Sequence, residues 1–268
     1  MTGVARTFTD SLQVARRRAR HLGRRAAMWT VVTEAAPGLT EALRQVIGRP
    51  SLFELQQEGS LTTSSREAVR SSAGLDDADW DRVESEFTEV ERRLTERRRQ
   101  LSGAYPWSFE IERETSLLLF GLTRLLQPEC VVETGVADGA STFVILSALG
   151  MNGRGELHSV DIADDVGGLV EDRQRWHLHV VDLGSVEDTL SDLMERLPPV
   201  GLFFHDADHR FLPQLCEYET FAGGAPEGAM LLSDDVDLSY AFGAFCQRRG
   251  RRPSYLLDSR KVAGLVRL

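Results

Sequence analysis

The chain has 268 residues, 31 Lys and Arg against 41 Asp and Glu, and a formal net charge of −10. That balance argues against a general nucleic-acid binder. No apolar run approaches the roughly 20 residues that cross a bilayer, and the amino terminus shows no apolar signal core.

Cys130, Cys216 and Cys246 are far apart and embedded in apolar segments. They read as buried thiols of a reducing compartment, so the expectation is a soluble cytoplasmic protein with no membrane partner. In chain order, Leu12, Ala15, Ala19, Leu22, Ala26 and Trp29 recur at spacings of three and four and predict an amphipathic helix. Seven arginines within residues 1–36 form its wet face, and His21 lies among them. A second helix is expected from Pro37 to Ile47, stopped by Gly48 and Pro50.

The tract Gly59 to Ser65 reads as a mobile loop, and Ser64 with Glu67 offers a capping box for a short helix. From Asp77 to Leu101 the apolar positions Trp80, Val83, Phe87, Val90, Leu94 and Leu101 predict one helix of about seven turns. Packing against the other N-terminal helices is the preferred reading, with a dimeric coiled coil as the alternative. Gly103 to Trp107 breaks the pattern. This divides the chain into a helical N-terminal region, 1–105, serving as lid or oligomer surface, and a second domain, 106–268.

Beyond an apolar helix over 109–126, strands alternate with helices. Strands are expected at 130–134, 156–161, 177–182, 200–206 and 228–233. Helices are expected at 140–149, about 168–175, 186–196, 210–222 and 238–249. This alternation means an α/β fold with a Rossmann-like, doubly wound parallel sheet. Residues 254–258 and 262–268 are joined too briefly to be parallel and form a C-terminal antiparallel hairpin.

The stretch Cys130-Val-Val-Glu-Thr-Gly-Val-Ala-Asp-Gly-Ala-Ser-Thr142 organises this domain. It reads strand, tight turn, helix, with glycine where a ligand must approach the backbone and helix N–H groups aimed at the same place. Its Glu-x-Gly-x-x-x-Gly spacing differs from the dinucleotide Gly-x-Gly-x-x-Gly. Together with the acid ending the strand, it resembles motif I of the class I S-adenosylmethionine-dependent methyltransferases. The C-terminal hairpin extends that resemblance to residues 109–268. The resemblance implies that Asp161 holds the ribose hydroxyls and that Asp182 and Leu183 meet the adenine. It also implies that Asp138, Gly139 and Ser141 hold the amino-acid end, with Glu133, Gly135, Ala137, Ile162 and Asp206 completing the cofactor contacts.

Ligands of open α/β sheets sit at the carboxyl ends of the strands, and here all five end on acids. Asp206, Asp234 and Asp235 converge on neighbouring ends, where such a set calls for a cation, and all-oxygen ligation suits Mg²⁺. This resembles the metal-dependent O-methyltransferases of the catechol and macrocin types. Asp235 and His209 depart from the catechol pattern, and the macrocin-like pattern is the nearer. His209, three residues after the first metal Asp, is the expected general base, its ring kept neutral by a helix N-terminus. Asp208 is the competitor. His158, His177, His179 and His205 read as structural, and no Cys/His spacing suggests zinc.

The expected activity is Mg²⁺-dependent O-methylation of a small-molecule hydroxyl, by preference on a sugar or other secondary metabolite, in natural product biosynthesis. A homo-oligomer through the N-terminal helices is possible. The alternatives are a metal-independent methyltransferase on the same fold and a non-catalytic cofactor-binding scaffold.

Overall fold

The computed structural model describes residues 48–73, 77–101, 105–106 and 109–268. The two helices expected within residues 1–47 lie outside these. The first described element is α1 (Leu52–Glu58), closed by a capping box in which Ser51 and Glu54 satisfy each other's backbone N–H groups. Next come β1 (Ser60–Thr62), α2 (Ser65–Ala73) and α3 (Asp77–Gln100).

The second half begins with α4 (Arg113–Leu126), which ends where Gln127 turns left-handed ahead of Pro128. After β2 (Cys130–Thr134), α5 (Ala140–Asn152) and β3 (Glu156–Asp161) comes β4 (Trp176–Val180). Then follow α6 (Val186–Arg196), β5 (Val200–His205), α7 (Phe211–Gly224), β6 (Met230–Ser233), α8 (Ala241–Arg248), β7 (Ser254–Leu257) and β8 (Val262–Arg267).

The strands of the described residues make one eight-stranded sheet in the order β1-β7-β8-β6-β5-β2-β3-β4. From β6 to β4 every neighbour is parallel, and β8 runs antiparallel to both β6 and β7. This is the expected doubly wound sheet with its closing hairpin.

Strand side chains alternate between faces, and each face has its own core. Val131, Leu157, Leu202, Phe204 and Leu232 pack beneath α3, α4 and α5. Val132, Phe203, Leu231 and Tyr255 pack on the opposite side, against residues of α1, α6, α7 and α8.

Three expectations are corrected. Ser60 to Thr62 is an edge strand, pairing Leu61 with Tyr255, and Gly59 stands where a Cβ would lie 2.3 Å from the Pro253 carbonyl. The Glu67 carboxylate is engaged by the Thr62 hydroxyl at 2.5 Å. The long helix α3 packs along α4 as well as α2: Trp80, Val83, Phe87, Val90 and Leu94 join Ala68 and Val69 of α2 and Leu117, Leu118 and Phe120 of α4 in one core. Finally, residues 168–175 form no helix. Gly167 has a φ of 73° and lies against Trp176, and the Gly167 and Leu169 N–H groups bond the Ala137 and Asp138 carbonyls, so the segment is laced to the glycine turn.

Candidate active site

The site is built by the turn between β2 and α5. The Gly135 N–H bonds the Val160 carbonyl, and the Asp206 N–H bonds the Thr134 carbonyl, which sets the three strand ends side by side. Gly135 has a φ of 85°, and a Cβ there would come within 2.0 Å of the Asp206 carbonyl oxygen. No other residue fits that position. Gly139, also left-handed, starts α5, whose first residues point free N–H groups toward the opening.

A cavity of about 820 Å³ opens over these strand ends. Gly135, Ala137, Asp138, Gly139, Ser141, Asp161, Ile162, Leu183 and Asp206 line it. The two Asp161 carboxylate oxygens accept from the Val136 and Ala163 N–H groups at 2.7 and 3.0 Å. That fixes the carboxylate while leaving acceptor capacity toward the cavity. Ile162 and Leu183 expose 55% of their surface at its rim.

Two expected contacts are not made. Glu133 is fully buried behind the turn, where the hydroxyls of Ser141, Thr142 and Ser159 donate to its carboxylate. Burial pushes that carboxyl up to about 7, against the pull of the three hydroxyls. Asp182 is exposed outside the cavity, where it leads the short 3₁₀ turn Leu183–Ser185.

At the other end of the cavity, Asp206, His209 and Asp235 bring one ligand atom each within 4.8 Å of one another. His209 Nε2 lies 3.5 Å from Asp206 Oδ1 and 3.6 Å from Asp235 Oδ2. Asp235 adopts a left-handed φ of 52°, a conformation that Asp tolerates better than most residues and that aims its carboxylate inward.

The third expected metal residue, Asp234, is fully buried, with Lys261 Nζ 2.7 Å from its Oδ2; the same ammonium lies 2.9 Å from Asp235 Oδ2. Burial and then the charge of Asp206 push the Asp234 carboxyl upward, opposed by Lys261. The His209 ring does not follow the expected helix effect. Burial lowers its proton affinity, but the hydrogen bond and charge of Asp206, followed by Asp235 and Asp234, raise it further. Asp208 is held by Arg210, whose Nε donates to it at 2.8 Å.

The donor set fits a divalent cation. Asp206 and Asp235 converge with His209 to within 4.8 Å of one another, an oxygen-rich set that suits a hard divalent cation. In that fit Asp206 and Asp235 are the ligands, His209 faces them, and Asp234 is committed to Lys261.

Sequence reasoning missed Lys261, although it left a signal: it is the only lysine in a chain with 30 arginines. It also missed Tyr105, Phe109, Glu110 and Ile111, which line the cavity from the segment ahead of α4.

Residues 132–236 match the sequence profile of a family described as a methyltransferase domain. The fold agrees with two solved structures. One is an O-methyltransferase from Bacillus cereus in complex with SAH, with a TM-score of 0.50 and 13% identity, covering 77% of this chain and 98% of that one. The other is the SAH-bound Podospora anserina methyltransferase PaMTH1, with a TM-score of 0.50 and 14% identity, covering 76% and 93%. At such identities these likenesses establish the class I methyltransferase fold. A search of curated proteins finds no match. The matched segment begins in β2 and ends just past Asp235, so it contains the glycine turn and the Asp206, His209, Asp235 cluster.

Proposed function

We propose that the chain is an S-adenosylmethionine-dependent O-methyltransferase that uses a divalent cation, by preference Mg²⁺, to methylate a hydroxyl of a small molecule. One observation carries the reading: the glycine turn with Asp161 and the Asp206, His209, Asp235 cluster open into the same cavity. The two solved structures with SAH bound support the cofactor assignment. Asp161 takes the ribose hydroxyls, Ile162 and Leu183 flank the adenine, and the turn from Gly135 to Ser141 holds the amino-acid end.

Methyl transfer forms a C–O bond as the C–S bond breaks. The sulfonium becomes a neutral thioether, and the hydroxyl proton must leave the acceptor. A cation bound by Asp206 and Asp235 would lower the pKa of a hydroxyl beside it. His209 Nε2 faces the same point, and with a cation neutralising the Asp206 and Asp235 charges that raise its proton affinity, the ring would be free to receive the proton. Asp208, already paired with Arg210, is the weaker candidate.

Tyr105 and Phe109 line the same cavity, with the Tyr105 N–H bonded to Asp138 at 3.3 Å, and residues 1–105 are assigned the role of a lid or oligomer surface. A sugar or other secondary-metabolite hydroxyl is the preferred acceptor. The test is calorimetry with S-adenosylhomocysteine, with and without Mg²⁺, alongside turnover on a panel of hydroxyl compounds. Cofactor binding with EDTA-sensitive turnover supports the reading. Full turnover in excess EDTA transfers it to the metal-independent alternative, in which Lys261 is the resident cation. Absence of cofactor binding overturns it.

A further inference from the structure

A second group of chemistry-bearing side chains stands apart from the cavity, at the β4 edge of the sheet. His177 and His179 alternate on one face of β4, and the parallel register sets His158 of β3 directly beside His177. Residues two apart on a strand share a face, so three imidazoles gather from positions about 20 apart in sequence. Cys/His spacing along the chain gives no hint of this, because strand pairing assembles the group.

The geometry is specific. His158 Nδ1 and His179 Nε2 face each other at 3.1 Å. Only one of the two carries the proton between them, so at least one lone pair already points inward. Imidazole nitrogens bind Zn²⁺ at about 2.0–2.1 Å, which puts two of them roughly 3.3 Å apart on a tetrahedral ion. The observed separation is within a few tenths of an ångström of that. His177 stacks on His158 with ring centroids 4.5 Å apart, and its Nε2 lies 3.1 Å from Glu156 Oε2. A carboxylate on one imidazole nitrogen fixes the tautomer and leaves the other as a ligand. His177 Nε2 is turned to Glu156, so His177 joins through its other nitrogen after its ring turns.

We propose that His158 and His179, with His177 as third ligand, bind a borderline-soft divalent cation such as Zn²⁺ or Cu²⁺ at the sheet edge, separately from the acidic cluster. Nitrogen donors select such ions over Mg²⁺. The side chain of His177 is 48% exposed, so the ion has a path from solvent.

The test is Zn²⁺ calorimetry and Cu²⁺ electron paramagnetic resonance on the full chain without a histidine tag and with Mg²⁺ in excess. Wild type is expected to take up one Zn²⁺, and its Cu²⁺ spectrum to show coupling to at least two nitrogens. Both signals should vanish in the His158→Gln, His179→Gln double variant, weaken in His177→Gln, and persist in Asp206→Asn with Asp235→Asn. If the double variant does not fold, His179→Gln alone is expected to remove the second nitrogen. Uptake unchanged in the histidine variants, uptake lost only in the aspartate variant, or no uptake by wild type would each overturn the proposal.

Discussion

Lys261 Nζ lies 2.7 Å from Asp234 Oδ2, with both side chains buried at the point where β8 begins and β6 ends. Removing one partner of a buried pair strands the other charge, at a cost of about 3–5 kcal/mol, whereas removing both is far milder. Lys261→Met is therefore expected to lower the urea midpoint sharply. Lys261→Met with Asp234→Asn should recover most of that loss. Lys261→Arg should fail to rescue, because a planar fork cannot take the place of a compact ammonium between two carboxylates. Additive losses in the double variant would show that the pair is not coupled.

Asp206 and Asp235 are the proposed cation ligands because their oxygens converge with His209 to within 4.8 Å of one another, whereas Asp234 is buried against Lys261. Asp206→Asn is expected to abolish Mg²⁺ binding measured by calorimetry while S-adenosylhomocysteine still binds. Asp234→Asn should act on stability more than on Mg²⁺ affinity. The reverse order of effects would return Asp234 to the ligand set.

The alternation of strands and helices and the closing hairpin were legible because periodicity and loop length constrain them directly, and Asp206 and Asp235 were legible as acids at strand ends. What escaped depends on long-range pairing. The three residues of β1 carry too little pattern to announce a strand that is completed by Pro253 and β7. Lys261 sits 26 residues beyond Asp235 and reaches it only because β8 folds back antiparallel to β6. Glu133 read as a cofactor contact because it ends a strand; its enclosure by Ser141, Thr142 and Ser159 needs the α5 and β3 positions in space.

Asp161 is already oriented by two backbone N–H groups before any ligand arrives. A hydrogen bond to a charged acceptor is worth roughly 1.5–3 kcal/mol. Asp161→Ala should therefore weaken S-adenosylhomocysteine about tenfold or more in calorimetry. Unchanged affinity in a folded variant would remove the ribose assignment.

His209 and Asp208 are separable by substitution. With Asp208 tied to Arg210, His209→Ala is expected to lower kcat by about 10² to 10⁴, the usual contribution of a general base, while Mg²⁺ and cofactor affinities stay near wild type. Asp208→Asn should have a small effect on kcat. If His209→Ala instead abolishes Mg²⁺ binding, its Nε2 is a ligand and not the base. If Asp208→Asn alone cripples turnover, the base is Asp208.

Glu133 should leave a signature in stability against pH. Its folded carboxyl is pushed up to about 7 by burial, from an ordinary value of 4.5. The folded state therefore holds a proton that the unfolded chain has released, so this contribution is fully present below pH 4.5 and is lost as pH rises through 7. Across that window it lowers stability by about 1.4 kcal/mol per pH unit. His158 works the other way. Burial, then His177 and His179, pull its ring down to about 4 from 6.5, so its contribution is present above pH 6.5 and is lost as pH falls toward 4. The two trends offset each other in the wild type. Glu133→Gln keeps the shape of the side chain, and the three surrounding hydroxyls can turn to suit an amide. Urea unfolding at half-unit steps from pH 4.5 to 8 should show the variant gaining on the wild type steadily up to about pH 7, with the difference then constant. Parallel curves would mean that Glu133 titrates as an ordinary carboxyl and that its three hydroxyls stabilise the anion fully.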